Sequence, residues 1–260
     1  MNQQTLDRLH RCQTEILDAV HAFCVARGLR YYLIGGTLLG AVRHSGFIPW
    51  DDDIDIGMPR ADYEILLKEL PLALEKKYFL QTAYTDPGYG RDFAKIRINN
   101  TIFLEQTDCT VENRHHGIFL DVFPLDDCAA VSTRHVRRKR KLAGFVDSYV
   151  VCKRGNIKIE GIKNVLRLFP MRFCLKIRDC LKKGKGDCYY LSFFGIIPKK
   201  YFEPTAMLSF EGKEYFVPNN YDKVLSMQYG DYMTLPPVEK RVTHNPVRIS
   251  FDLNGEDAEM

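Results

Sequence analysis

Hydrophobic and polar positions in the first part of the chain follow three successive patterns. Residues 5–27 place apolar side chains three or four positions apart with charged residues between them, and Gly28 ends the pattern. This spacing predicts an amphipathic helix with a glycine cap. Tyr31–Ile34 is an apolar run of strand length, which breaks at Gly35–Gly36 and resumes as Thr37–Val42. These segments predict a strand, a tight turn and a second helix.

The turn between this strand and the second helix is a candidate phosphate site. Gly35 and Gly36 let a phosphate approach the backbone, and Thr37 can cap the helix and offer its hydroxyl. The free N–H groups of a first helical turn also attract anions. The sequence therefore predicts that this turn holds a phosphate.

Four carboxylates lie within five residues directly after Trp50. Alternate residues of an extended chain share a face. One face carries Asp51, Asp53 and Asp55, and the other carries Asp52, Ile54 and Ile56. Crowded carboxylates repel one another unless a cation lies between them, and oxygen ligands suit Mg²⁺ or Mn²⁺. A solvated acidic turn is the alternative, but the two isoleucines predict a half-buried strand and favour a metal site.

Later strand patterns carry further charged residues. The predicted strands are Tyr78–Thr82, Phe93–Ile98, Thr101–Glu105 and Ile118–Phe123, with a tight hairpin at Asn99–Asn100 and another hairpin around Gly212. Lys95 and Arg97 share a face, where they can hold phosphates or remain solvated. Asp121 interrupts an apolar strand and needs an ion pair or a metal, because burying a lone carboxylate is costly. Asp126 follows a proline and is expected to cap the next helix.

The composition is that of a soluble globular protein, with 45% hydrophobic and 27% charged residues among 260. There is no basic-then-apolar leader and no run of about 18 apolar residues, so a cytoplasmic location is expected. Eight cysteines without a Cys-x-x-Cys pair predict reduced thiols. A zinc site from Cys174, Cys180 and Cys188 is an alternative that lacks close spacing.

The net charge of +4 conceals two regions of opposite charge. Residues 132–200 contain nineteen lysines and arginines against four acids, a net charge of +15, which leaves −11 for the rest of the chain. Cations mixed with apolar residues predict two or three basic amphipathic helices, which suit a membrane surface or another anionic partner. A helical subdomain with a solvated basic face is the alternative. Nucleic acid is not expected as a partner, because no recognition motif is present.

The longest motif lies in Tyr31–Tyr63 and reads Gly-Gly-Thr-Leu-Leu-Gly-Ala-Val-Arg-His, then Ile-Pro-Trp-Asp-Asp-Asp-Ile-Asp-Ile-Gly. It closely resembles the LicD family, which contains bacterial phosphocholine transferases and is related to fukutin-type polyol-phosphate transferases within the nucleotidyltransferase superfamily. The resemblance implies an α+β fold, a nucleotidyltransferase-like mixed sheet flanked by helices. It also implies a catalytic core at 1–130, a basic helical insert at 131–200 and a C-terminal module at 201–260 that returns to the active cleft.

The resemblance further implies roles for the acids. Gly117–Asp126 resembles a LicD segment, and the superfamily completes its metal site with a third carboxylate from a neighbouring strand. Asp53, Asp55 and Asp121 are therefore expected to be catalytic and, with Asp51, to hold Mg²⁺ or Mn²⁺.

Four more side chains are candidates for substrate contact, in addition to the glycine turn, Lys95 and Arg97. Arg43 can bind a diphosphate or form a salt bridge with the aspartates. Trp50 can stack on a base or a choline group, or pack in the core. Arg241 and His244 follow a Tyr-Gly-Asp-Tyr-Met stretch that resembles the family's C-terminal module, and can contact donor or acceptor.

The activity implied by the resemblance is transfer of phosphocholine from CDP-choline to a hydroxyl of a cell-surface glycan, with release of CMP. Lipopolysaccharide, teichoic acid and capsule are the expected kinds of acceptor, and the basic insert is expected to contact the inner membrane face. CDP-ribitol or CDP-glycerol as donor, nucleotidyl transfer from a nucleoside triphosphate, and a non-catalytic binding module are the alternatives.

Overall fold

The computed structural model describes residues 1–106, 114–130, 134–154, 158, 161–191, 194–241, 243–244 and 246–252. The α-helices in these residues are α1 (Gln3–Arg27), α2 (Gly35–His44), α3 (Arg60–Ala73), α4 (Arg134–Arg154), α5 (Met171–Lys182) and α6 (Tyr221–Tyr229). The strands are β1 (Tyr32–Leu33), β2 (Asp55–Pro59), β3 (Tyr78–Gln81), β4 (Ala94–Ile98), β5 (Ile102–Leu104), β6 (Phe119–Cys128), β7 (Cys188–Leu191), β8 (Gly195–Pro198), β9 (Ala206–Phe210), β10 (Lys213–Val217) and β11 (Arg248–Ser250).

A mixed sheet forms the centre of the fold, with the strand order β1-β2-β6-β4-β3. Strands β2 and β6 run parallel, and the other pairs on this path are antiparallel. The register of the parallel pair places Asp55 opposite Asp121. The second half of β6 pairs with β7, which in turn pairs with β8. One long strand therefore connects the centre of the sheet to the region of the basic insert.

Helices flank this sheet, which confirms the expected mixed α and β fold. Helix α1 packs on β4 and β6 through an apolar stripe that includes the fully buried Leu9, Ile16 and Val20. Gly28 caps α1 in the left-handed conformation, with a φ of 63°, as the pattern predicted. The predicted strand, glycine turn and second helix are also present, as β1, Gly35 and α2.

Two local predictions are wrong. Strands β4 and β5 do not form a hairpin, because β4 pairs with β3 and β6 on its two edges while β5 pairs with β11. Asn100 has the positive φ of a tight turn, but local turn chemistry does not decide which strands pair. Asp126 does not cap a helix, because β6 continues through Pro124 and Arg60 donates two hydrogen bonds to the Asp126 carboxylate.

The stretch predicted as a basic helical insert contains α4, a 3-10 helix at Gly161–Leu168 and α5, but it is not helical throughout. Helices α4 and α5 enclose a small apolar cluster of their own, which includes Val146, Val150 and Leu175. Strands β7 and β8, which fall in the same stretch of sequence, belong to the central sheet. The described cysteines form no disulfide. Within the described part of the chain, no helix is long and apolar enough to cross a membrane.

Candidate active site

Carboxylates from two neighbouring strands meet in one cavity. Asp55 begins β2 opposite Asp121 of β6, and the Asp121 N–H donates to the Ile54 carbonyl at 2.9 Å. Ile54 and Ile56 are fully buried, so the alternate side chains Asp53 and Asp55 point to the other side of the chain. Asp53, Asp55 and Asp121 line a cavity of about 390 Å³, here named the carboxylate cavity. The structure thus brings together acids that the sequence carries in two separate motifs.

The glycine turn faces these acids from the start of α2. Gly35 has a φ of 58°, a conformation that favours glycine. A Cβ on Gly35 would lie 3.2 Å from Asp55 Oδ2, and a Cβ on Gly36 would lie 2.7 Å from Asp51 Oδ2. The absence of side chains at both positions therefore allows the first turn of α2 to approach the acids.

Thr37 makes a contact that the sequence did not indicate. Its buried hydroxyl accepts a hydrogen bond of 2.8 Å from the Asp55 N–H. This bond joins α2 to the start of β2 and fixes the backbone of Asp55. The predicted contact of Thr37 with a phosphate stays a prediction.

Burial and mutual repulsion make the acidic group costly in the absence of a cation. Burial, followed by the neighbouring carboxylates, raises the pKa of Asp51 to about 8. Burial also raises the pKa of Asp53 to about 6 and that of Asp55 well above its ordinary value. The group therefore retains protons that exposed aspartates lose near about pH 4. A divalent cation would displace these protons.

Asp121 is paired with a buried lysine of the adjacent strand. Lys95 donates to Asp121 Oδ2 at 2.9 Å, and its Nζ lies 2.8 Å from Oδ1. Burial lowers the pKa of Lys95 despite this partner. Arg97 also lines the cavity, but its guanidinium donates to Gln81 and to the Gly117 carbonyl.

The C-terminal module reaches the carboxylate cavity through His244. The His244 N–H donates to the two Asp52 oxygens at 3.0 and 3.2 Å, and Nδ1 lies 2.8 Å from Asp52 Oδ1. The hydrogen bond to Asp52 raises the pKa of His244 to about 9, so the ring carries a proton at neutral pH. The sequence placed Asp52 on the buried face and assigned it no role, because its partner lies 192 residues away.

A second set of possible metal ligands overlaps the first. Asp52, Asp53 and His244 each offer one atom within 4.8 Å of the others, an arrangement that could hold a metal ion. The ring of His244 would first have to lose its proton, because only neutral imidazole binds metal. The two candidate sets share Asp53.

Arg43, Trp50 and Arg241 lie outside the described lining of the carboxylate cavity. The Arg241 guanidinium lies 4.0 Å from the centre of the Trp50 ring, which is half-buried against the core. Arg43 donates to the Tyr232 carbonyl at 3.0 Å, and it forms no salt bridge with any acid that the structure describes. The structure thus brings Trp50 and Arg241 together, next to the aspartates that follow Trp50 in the chain.

Residues that the sequence did not indicate complete the cavity. Tyr89, Phe93, Phe123 and Phe194 line it, together with Arg91. The Tyr89 hydroxyl is buried without a hydrogen-bond partner among the described residues. No motif connects these side chains to the acids, so only the folded chain identifies them.

Acids from two parallel strands, facing a glycine turn at a helix N-terminus, are the arrangement of a phosphate-transferring enzyme. Residues 28–150 match the family model described as LicD/FKTN/FKRP, nucleotidyltransferase domain. The chain is 31% identical over 265 residues to lipopolysaccharide cholinephosphotransferase LicD of Haemophilus influenzae, which covers 94% of this chain and 97% of that protein. The chain belongs to the LicD family of phosphotransferases, as its motifs predicted.

A shorter match concerns a mammalian relative. Over 33 residues the chain is 61% identical to ribitol 5-phosphate transferase FKRP of Mus musculus and of Homo sapiens. This match covers 13% of the present chain and 7% of each mammalian protein. The likeness is therefore local.

Proposed function

We propose that the protein transfers a substituted phosphate group from a CDP-activated donor to a hydroxyl of a glycan, with Mg²⁺ or Mn²⁺ in the carboxylate cavity. The observation that carries this proposal is the meeting of Asp53, Asp55 and Asp121 in one cavity beside the first turn of α2. Buried acids are costly unless they hold a cation, and the turn offers N–H groups to a diphosphate.

A divalent cation fits the residues present. Burial and repulsion between the carboxylates raise the pKa values of Asp51, Asp53 and Asp55, and a divalent cation would offset both effects. Asp53, Asp55 and Asp121 would hold the ion, with Asp51 beside them. These are oxygen ligands, which Mg²⁺ and Mn²⁺ prefer. The bound ion would neutralise charge on the diphosphate.

The surrounding groups of the protein position the two reactants. The N–H groups of Gly35 and Gly36 hold the phosphates of the donor, and Lys95 and Arg97 add positive charge on the facing strand. The acceptor hydroxyl attacks the phosphorus that carries the substituent, the bond between the two phosphates breaks, and CMP leaves with the bridging oxygen. Asp121 accepts the proton of the hydroxyl. The substrate contacts predicted from the sequence for Thr37, Arg43, Trp50, Arg241 and His244 stay predictions.

The relatives suggest which group is transferred. The name of the Haemophilus influenzae relative favours phosphocholine as the transferred group and lipopolysaccharide as the acceptor. The donor proposed for this group is CDP-choline. The local match to ribitol 5-phosphate transferases favours a polyol phosphate, from CDP-ribitol or CDP-glycerol, as the second candidate. Teichoic acid or capsule would serve as acceptor by the same chemistry.

A donor screen tests the proposal. The full chain is incubated in Mg²⁺ or Mn²⁺ with a glycan and CDP-choline, CDP-ribitol, CDP-glycerol or a nucleoside triphosphate. We expect CMP release from one CDP donor, its loss in Asp53→Asn and Asp121→Asn, and its retention in the exposed control Asp7→Asn. Pyrophosphate release from a triphosphate, or CMP release that survives removal of the acids, would contradict the proposal.

The basic insert supports a further part of the proposal, a peripheral contact with the inner face of the membrane. Phe169 and Phe173 are partly exposed and stack with ring centres 5.4 Å apart, and Leu168 beside them is 81% exposed. The cations exposed on the same segment are Arg167, Arg172 and Lys176. Apolar side chains surrounded by cations suit an anionic lipid surface. Leu168, Phe169 and Phe173 are named the apolar patch.

A further inference from the structure

A second, larger cavity lies between the central sheet and the basic insert. Its volume is about 690 Å³, and it is here named the insert cavity. One wall is the far end of β6, with Asp126, Asp127 and Cys128, and the opposite wall comes from α4, α5 and the turn after α5. Arg91 and Phe93 line both this cavity and the carboxylate cavity. The two cavities are therefore neighbours that share a wall.

The acids of the insert cavity already have cationic partners. Asp92 pairs with Lys182, Asp126 with Arg60, Asp127 with Lys199 and Asp147 with Arg178. Three of these partner cations, Arg60, Lys199 and Arg178, do not line the cavity themselves. The acids of the insert cavity are therefore neutralised mostly by side chains that lie outside the cavity.

Several cations of the same cavity have no such partner. Among the described residues, Arg91, Lys139, Arg140 and Lys185 form no salt bridge with an acid. Lys139 donates to the Lys183 carbonyl, and Arg140 lies over the Tyr190 ring at 4.1 Å, so the wall holds both side chains in place. Unneutralised cations that converge on a cavity attract an anionic ligand.

The shared wall is held in place by the insert. Arg178 is buried and donates to the carbonyls of Gly90 and Arg91, at 3.2 and 3.3 Å. Arg154 donates to the carbonyls of Asp86, Pro87 and Tyr89. The loop that carries Tyr89 and Arg91 is thus bound to the insert by guanidinium groups that donate hydrogen bonds to its backbone carbonyls. The position of one cavity relative to the other is fixed by these bonds.

We infer that the insert cavity binds the acceptor, and that the acceptor is an oligosaccharide with an anionic group, a phosphate or a carboxylate. Lys139, Arg140 and Lys185 hold the anionic group, and Arg91 lies at the passage to the acids. Asp121 and Asp126 are separated by five residues of strand, which is about 16 Å. An acceptor that extends along this length of β6 is longer than a single sugar, so the inferred ligand is several linked sugars. This inference rests on the proposed function.

Binding of a small probe tests the anionic site without catalysis. The probe is glucose 6-phosphate, titrated into the full chain by calorimetry, with glucose and inorganic phosphate as comparisons. We expect glucose 6-phosphate to bind more tightly than either, and its affinity to fall about tenfold for each cation removed in Lys139→Ala and Lys185→Ala, because charge-assisted hydrogen bonds are lost. Lys141→Ala is the matched control, since Lys141 follows Arg140 on α4, is exposed and does not line the cavity.

A larger side chain that fills the insert cavity gives a second, independent test. A Cβ on Gly144, which lines the insert cavity from α4, meets no atom within 4 Å. Gly144→Leu should therefore fold normally, occupy the cavity and abolish probe binding. Binding that CMP displaces, or that Gly144→Leu and the lysine variants leave unchanged, would overturn the inference.

Kinetics with the active donor separate this inference from the proposed function. In Lys139→Ala and Gly144→Leu we expect the KM for the glycan to rise about tenfold while the KM for the donor stays unchanged. Asp55→Asn should abolish transfer and leave the binding of glucose 6-phosphate intact. If no CDP donor reacts, the proposed function fails although the probe binds. If transfer occurs with an unchanged glycan KM in both variants, the inference fails alone.

Discussion

The two cavities on either side of Phe93 differ in the charge that their walls leave unneutralised. The carboxylate cavity gathers acids from two adjacent strands, and burial raises the pKa of Asp53 and Asp55. Burial raises the pKa of Asp126 and Asp147 in the insert cavity as well, but every acid there has a cationic partner. Its unpaired groups are cations from three separate segments. Strand β6 contributes to both, with Asp121 in the first and Asp126 in the second. One cavity thus needs a cation, and the other attracts an anion.

This difference suits a reaction between two anionic substrates. The diphosphate of a donor and the charged group of an acceptor repel each other, and separate sites of opposite character would hold them apart except at the reacting atoms. Arg91 lies where the two sites meet. Substitutions in the two cavities are therefore expected to have different effects.

The largest effect is expected for Asp55→Asn. Loss of one carboxylate from the metal set should reduce CMP release by about a thousandfold or more. The same change removes a buried acid whose pKa burial raises, so the metal-free protein should become more stable. We expect the Tm in EDTA to rise by about 2–4 °C. The rise should be larger at pH 8 than at pH 5. Asp55 is mostly ionised in the unfolded chain at both pH values, but its raised pKa in the folded protein makes its ionised form increasingly destabilising as the pH rises.

Differential scanning fluorimetry in EDTA and an assay of CMP release check both halves of this prediction. The exposed Asp7→Asn is the control for a change of net charge. A variant that loses activity and also loses stability would show that Asp55 has a structural partner, and the carboxylate cavity would then resemble the insert cavity.

The next effect concerns the identity of the metal ligands. If Asp53, Asp55 and Asp121 hold the ion, Asp121→Asn should weaken Mn²⁺ binding at least about tenfold, whereas His244→Gln should change it little. Calorimetric titration of the full chain with Mn²⁺ measures both, and Asp53→Asn should weaken binding in either case. The reverse order for the first two variants would assign the ion to Asp52, Asp53 and His244.

The sequence allowed one of these cavities to be predicted and not the other. Asp53 and Asp55 belong to a short motif whose alternation with Ile54 and Ile56 predicts a half-buried strand, and Asp121 interrupts an apolar run. Local pattern therefore singled out these acids and the glycine turn, whereas the family resemblance predicted that Asp121 joins Asp53 and Asp55. The predicted hairpin after β4 and the predicted helix cap at Asp126 were wrong, because both features depend on which strands become neighbours.

The insert cavity shows why the remainder could not be predicted. In the sequence, Lys139, Arg140 and Lys185 cannot be distinguished from the other cations of the basic segment. Only the packing of α4 and α5 beside β6 shows that these three side chains line the insert cavity. Arg154 and Arg178 carry the same charge but bind backbone carbonyls of the core. A count of charges predicts an anionic partner without showing which cations are available to it.

A smaller effect is expected at the outer surface of the insert. Phe169→Ser combined with Phe173→Ser removes most of the apolar patch and should weaken binding to vesicles of anionic phospholipid by about tenfold. Sedimentation of the full chain with such vesicles at low and high salt measures this. Leu72→Ser is the control, because Leu72 is 87% exposed on α3 outside the insert. Equal binding by both variants would remove the membrane contact and leave the insert cavity as the anionic site of the insert.

The last effect sharpens the comparison along β6 itself. Asp126→Asn leaves the side chain of Arg60 without its charged partner in a mostly buried position, and this should lower the free energy of unfolding by about 1–3 kcal/mol. The Tm should then fall by about 2–4 °C for each kcal/mol, opposite in sign to the change expected for Asp55→Asn in EDTA. Arg60→Met with Asp126→Leu should recover part of the loss, because an apolar pair needs no desolvation of charge. Melting curves of the three variants decide the point: a fall in both single aspartate variants would mean that the two ends of β6 do not differ in the way their acids are neutralised.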